Sequence, residues 1–201
     1  MNPSEARFEF RVWGTGFDDV ATRLREAAEY RKTRTTSETY LVASPAAVHA
    51  NPKIRDDKLD VKSLVEVNQG FERWGVRLKT RFPVEAEVLS DDVLPLLGAT
   101  PPALGRDRYS LDHLLDEVIG PHPDLTAVAV TKRREVYRLN GCPAEISDVT
   151  IAGRTLQTIA IESLDLEALE AARSLLGLDD HENVSYPRAI GEVLGSALAG
   201  A

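Results

Sequence analysis

The side chains best suited to chemistry lie between Thr126 and Glu162. Lys132 and Arg134 stand two apart in an extended run, Asp148 follows an Asn140-Gly141 turn, and Glu162 ends a third run. Because a strand sends alternate side chains to opposite faces, Val128, Val130, Lys132, Arg134, Val136 and Arg138 share one side. Cations set into an otherwise apolar face have two explanations. One is a basic cavity that takes a polyanion; the other is an antiparallel sheet with one solvated face, which is the commoner arrangement.

The same pattern recurs elsewhere. Arg7, Glu9 and Arg11 alternate with Phe8, Phe10 and Val12, and Lys53 and Arg55 flank Ile54. Lys58, Asp60, Lys62 and Glu66 share a face opposite Leu59, Val61, Val65 and Val67, while Arg77, Lys79 and Arg81 alternate with Leu78 and Phe82. Each is a strand-like segment with a mixed-charge face backed by an apolar one. Phosphate oxygens favour Lys and Arg, and Arg can grip two at once. Hard divalent cations favour carboxylate oxygen.

These segments sit in a chain of 201 residues, 43% hydrophobic, which suits a single domain over residues 1–201 with a sizeable core. Its 24 Lys and Arg against 32 Asp and Glu give a net charge of −8, which argues against a non-specific nucleic-acid binder. An acidic exterior can still enclose a basic cavity. Cys142 is the single cysteine, so no intrachain disulfide forms. Residues 1–7 lack the apolar stretch of a signal peptide, and no apolar run is long enough to span a membrane. A cytoplasmic protein is expected, with no membrane or nucleic-acid partner.

The elements that must position these side chains read as strands broken by helices. Phe17, Val20, Ala21, Leu24 and Ala28 recur at helical spacing, predicting a helix over 17–31. Thr33 to Ser37 reads as a polar break, Glu38 to Ala43 as a strand, and Ser44 to Pro52 as a loop closed by Asn51-Pro52. Strands are expected over 53–67, after a turn at Asn68-Gln69-Gly70 over 73–88, and then through 126–162. Helices are expected over 91–97, over 110–119 with Ser110 as cap, over 166–176 ended by Gly177, and over 187–198.

In this order Arg7-Phe8-Glu9-Phe10-Arg11, Lys53-Ile54-Arg55, Arg77-Leu78-Lys79, Glu85-Ala86-Glu87, Lys132-Arg133-Arg134, Asp148-Val149, Ile161-Glu162 and Asn183-Val184-Ser185-Tyr186 together resemble the CYTH superfamily. Its members, the triphosphate tunnel metalloenzymes, include class IV adenylate cyclases, thiamine triphosphatases and inorganic triphosphatases. The resemblance implies an α+β fold: an eight-stranded antiparallel β-tunnel, closed as a barrel, with helices outside. It also implies Arg11, Lys53, Arg55, Lys79, Arg81, Lys132 and Arg134 on phosphate, and Glu9, Asp148 and Glu162 on Mg²⁺ or Mn²⁺. Lys62, Glu85 and Glu87 are further candidates for the tunnel lining.

The chain departs from the family pattern at two carboxylates. Arg7 stands where the first strand usually begins with Glu, and Ala160 where a Glu would precede Glu162. Fewer anionic ligands should hold a metal more weakly, and Arg7 could instead pair with Glu9 or with an acid on a neighbouring strand. The four histidines are scattered without metal-site spacing, Cys142 has no adjacent His, and Trp13 and Trp74 suit core packing better than base stacking. No catalytic residue is assigned. The expected function is metal-dependent hydrolysis of a small inorganic, thiamine or nucleoside triphosphate, with ATP cyclisation a narrower variant. The alternatives are a non-catalytic module that binds polyphosphate or a nucleotide, and an open sheet with no anion site.

Overall fold

The structure, a computed structural model, describes residues 6–43 and 47–199. Its strands are β1 (Phe8–Gly14), β2 (Glu29–Ala43), β3 (Ala50–Arg55), β4 (Lys58–Asn68), β5 (Phe71–Arg81), β6 (Val84–Glu85), β7 (Arg108–Tyr109), β8 (Leu125–Leu139), β9 (Cys142–Ile151) and β10 (Arg154–Ser163). The helices are α1 (Asp18–Ala27), α2 (residues 86–96), α3 (residues 111–119), α4 (Leu166–Leu175) and α5 (Tyr186–Ala199). Eight strands close an antiparallel barrel in the order β1, β10, β9, β8, β2, β3, β4, β5, and β6 and β7 form a separate two-stranded sheet. The expected α+β tunnel is therefore present. Among the described residues no helix is long and apolar enough to cross a membrane.

Tight turns set the strand registers. Asp56-Asp57, Gln69-Gly70, Asn140-Gly141 and Ala152-Gly153 all have positive φ at both positions, the geometry of two-residue hairpin loops whose twist matches that of the strands. At Asn140-Gly141 the sequence announces this, because Asn and Gly enter the left-handed region at low cost.

The chain groups into two compact units. The first contains residues 6–36, 64–75 and 131–185. There Phe8, Phe10 and Val12 of β1, Ile146 of β9, and Ile159 and Ile161 of β10 pack on Leu24 of α1 and Leu169 and Ala172 of α4. Phe10 meets Phe71 edge to face at 5.8 Å. The Asp165 carboxylate accepts from the Glu167 and Ala168 amides to start α4, and Gly177 follows its end at φ +67°. The second unit contains residues 37–43, 47–63, 76–130 and 186–199. Its core sets Leu41, Ile54, Leu59 and Val61 of the strands against Leu89, Val93 and Leu94 of α2 and Leu114, Val118 and Ile119 of α3. Ser110 caps α3 as expected, its hydroxyl accepting from the His113 amide.

Within the first unit β1 has one long partner and one short one. It pairs with β10 from Phe8↔Ser163 to Gly14↔Gln157, but with β5 only at Phe8↔Arg73 and Glu9↔Glu72. Beyond that point the 183–184 segment takes over. Asn183 accepts from the Arg11 amide through Oδ1 (2.8 Å), its Nδ2 donates to the Glu9 and Gly70 carbonyls (both 3.0 Å), and the Val184 amide donates to the Arg11 carbonyl (2.8 Å).

Several expected boundaries are corrected. Thr33 to Ser37 is no break but the middle of β2, and the predicted 53–67 strand is two strands, β3 and β4, with Asn51-Pro52 inside β3. Ser44, Pro45 and Ala46 of the predicted loop lie outside the described residues. The 73–88 strand ends at Arg81, and the helix expected from 91 begins at 86. The first helix stops at Ala27 because Ala28 is already extended and leads into β2.

Candidate functional site

In the first unit alternation decides which side chains face inward. Phe8, Phe10 and Val12 pack on the helices, so Glu9 and Arg11 occupy the opposite, inner face of β1. The register aligns Arg11 with Ala160 and Ala160 with Glu145, one row across three strands. Only the Ala160 methyl stands in the middle of that row, and the Arg11 guanidinium reaches past it. Nε donates to Glu9 Oε1 (2.8 Å), Nη1 to Thr158 Oγ1 (3.3 Å) and Nη2 to Glu145 Oε1 (3.0 Å). Arg134 approaches the other Glu145 oxygen at 3.7 Å and donates to Thr36 Oγ1 at 3.2 Å.

The cations of this cluster are largely removed from solvent: Arg11 is 4% exposed, Lys132 1% and Arg134 9%. Burying a charge is costly unless it is paired, and Glu145 is shared between Arg11 and Arg134. Burial by itself would push the Glu145 carboxyl up; Arg11, Arg134 and Lys132 outweigh it and hold the group below the ordinary carboxylate range.

A second row carries carboxylates. Glu9 lies opposite Glu162 on one side and Glu72 on the other. Each has a partner: Glu9 takes Arg11, Glu162 is 3.6 Å from Arg7, and Glu72 accepts from the Trp74 indole at 3.0 Å. Arg7 thus pairs with an acid on the neighbouring strand, as its position suggested.

Asp148 does not join this row. It pairs in register with Gln157, which falls between the inner positions Thr158 and Leu156, and so points to the outer face, where it is exposed 3.9 Å from Arg133. The predicted ligands Glu9, Asp148 and Glu162 therefore do not share a face. Among the described residues no group of three or more His, Cys, Asp or Glu side chains is placed to hold a metal ion. A cation such as Mg²⁺ demands near-octahedral oxygen ligands, and two carboxylates already committed to arginines do not fit a preformed site.

In the second unit the Glu38 side chain is fully buried. It accepts from Arg55 Nη1 (3.0 Å) and the Tyr40 hydroxyl (3.2 Å) and lies 3.5 Å from Lys53 Nζ. Burial pushes the Lys53 ammonium below its ordinary value; Glu38 opposes that shift, while Arg55 and Lys62 add to it. Lys53 lies opposite Asp60 and Asn51 opposite Lys62, so Lys62 shares the Lys53 and Arg55 face. Lys79 and Arg81 are exposed, on the face opposite Leu78 and Phe82. Glu85 and Glu87 are not on the barrel. Glu85 sits on β6 with Arg108 at 2.9 Å, and Glu87 is exposed in the first turn of α2.

Glu145 and Glu72 in the first unit, and Glu38 in the second, were not among the expected residues. For Glu145 a signal existed. The two-residue turn at Asn140-Gly141 joins Leu139 to Cys142, and counting back from it sets odd positions of β9 beside even positions of β8. Glu145 then shares the face of Lys132 and Arg134, and Asp148 shares that of Arg133.

No protein-family model and no curated protein matches this chain. Solved structures do. The candidate adenylyl cyclase HpAC1 from Hippeastrum, described as having a dominant triphosphatase activity, aligns over 93% of this chain and 96% of its own at 16% identity and a TM-score of 0.53. The PH1012 and PH1819 proteins of Pyrococcus horikoshii each align at 16% identity and a TM-score of 0.50, covering 92% of this chain and 98% and 99% of theirs. At such identities the likeness defines the fold alone, and the closed eight-stranded antiparallel barrel is the tunnel architecture that the resemblance to the CYTH superfamily implied.

Proposed function

We propose that this chain binds a small triphosphate or polyphosphate, with Arg11, Lys132 and Arg134 as phosphate contacts. Within the second unit taken by itself, Lys53, Arg55, Lys79 and Arg81 are proposed as phosphate contacts from the preference of phosphate oxygens for Lys and Arg. One observation carries this reading: three cations are buried side by side on the inner face of a barrel whose chain has a net charge of −8. A half-solvated sheet face would leave them in water instead. Binding rests on these cations, because the carboxylates around them do not fit a resident metal.

Calorimetric titration with tripolyphosphate is the test. A charge-assisted contact contributes roughly 1.5–3 kcal/mol, so Lys132→Ala and Arg134→Ala should each weaken binding about tenfold or more. Unchanged affinity in both variants would sink the proposal.

Hydrolysis of the bound triphosphate with Mg²⁺ or Mn²⁺ is a second reading. The fold shared with a protein described as having a dominant triphosphatase activity favours it, although Glu9 and Glu162 would have to leave Arg11 and Arg7 to meet an ion that arrives with the substrate. Phosphate release from inorganic, thiamine or nucleoside triphosphate with either ion added, abolished by Glu162→Gln, would support it. No turnover across that panel would leave binding alone.

A further inference from the structure

We infer that Glu145 occupies the place of a ligand phosphate, so that a bound polyanion must displace it and the residue sets how tightly the barrel binds. This deepens the proposed function and rests on it.

The geometry is that of an internal counter-anion. One Glu145 oxygen is 3.0 Å from Arg11 Nη2 and the other 3.7 Å from Arg134 Nη1, so a single anion spans two guanidinium groups as a phosphate group would. Arg11 reaches it only because Ala160, directly between them in the row, has no side chain beyond Cβ. The same cations lower the Glu145 pKa, so the carboxylate is charged at neutral pH and competes with any incoming anion.

A second observation points to a ligand at the same place. Ser147 lies two residues along β9 on the face of Glu145 and is 1% exposed, yet its hydroxyl has no hydrogen-bond partner among the described residues. An unmatched buried hydroxyl is a donor for a phosphate oxygen. Glu145 does not serve this hydroxyl, since no hydrogen bond joins the two side chains.

The experiment is calorimetric titration of the full chain with tripolyphosphate, alongside thermal unfolding with and without that ligand. Glu145→Gln keeps the shape of the side chain but removes its charge. It should bind about tenfold tighter than wild type, or about 1.4 kcal/mol, and gain more in melting temperature on adding ligand. Glu145→Asp keeps the charge but withdraws it from both arginines, so it should bind more tightly than wild type by a smaller factor and serves if the Gln variant does not fold. Ser147→Ala should weaken binding severalfold. Wild type that binds while the Gln or Asp variant binds equally or more weakly would overturn the inference and leave the binding function standing. A wild type and variants that all fail to bind would remove both.

Discussion

Asn183→Ala tests whether the 183–184 segment completes the pairing of β1. The substitution deletes three hydrogen bonds, one accepted from the Arg11 amide at 2.8 Å and two donated to the Glu9 and Gly70 carbonyls at 3.0 Å. A net intramolecular hydrogen bond is worth about 0.5–1.5 kcal/mol. Gly70 is exposed, so water replaces part of its share, whereas the β1 groups flank the buried Arg11. The expected loss is about 2–3 kcal/mol, and for a chain of this length a melting temperature lower by about 5–10 °C. Urea and thermal unfolding followed by circular dichroism measure both. Asn183→Asp keeps an acceptor for the Arg11 amide but removes both donors and sets a carboxylate against two carbonyls, so it should destabilise at least as much. A loss below about 0.5 kcal/mol in the Ala variant would refute the reasoning, because it would mean that β1 holds its place without this segment.

Three other outcomes are expected. Leu169→Ala, at a fully buried position of α4 against the barrel, should cost about 2–5 kcal/mol by denaturant unfolding. The pKa of Glu145 is depressed in the folded chain, so its contribution to stability is complete above its unfolded value of about 4.3 and is lost as pH falls through the lower folded value; the urea midpoints of wild type and Glu145→Gln should converge on acidification from pH 7 towards pH 3, and a constant gap would contradict this. Asp148→Asn should leave tripolyphosphate affinity within about twofold of wild type, because its side chain is on the outer face; a loss comparable to that of Lys132→Ala, about tenfold, would place it back inside.

Alternation made the inner face readable where one side of a strand is buried against helices. Arg7 to Val12 is such a case; in Val128 to Arg134 the outer face is exposed instead, and the buried face is the one that carries Lys132 and Arg134. The first half of β2 escaped notice because residues 29–35 are exposed on both faces, leaving no buried stripe to reveal the period. The β3–β4 break was hidden for a different reason. Its turn is Asp56-Asp57, which takes the left-handed conformation twice without a glycine to mark it. At the site, the two-residue turn held the information that separates Glu145 from Asp148, but it is legible only when register is counted residue by residue. Glu38 needs more than counting, since its place between Lys53 and Arg55 depends on the β2 and β3 pairing across residues 44–49.

The seam at β1 bears on how the protein is made. The ribosome delivers β1 first, yet β5 offers it only two paired positions, and its full-length neighbour β10 and the sealing Asn183 lie roughly 150 and 170 residues downstream. The barrel cannot close during synthesis until residues 154–184 have left the exit tunnel, so a strand whose apolar side chains are Phe8, Phe10 and Val12 must wait until then. Truncations ending before Asn183 would leave those three side chains on an incompletely paired edge, and it is in such nascent or shortened chains that aggregation should begin.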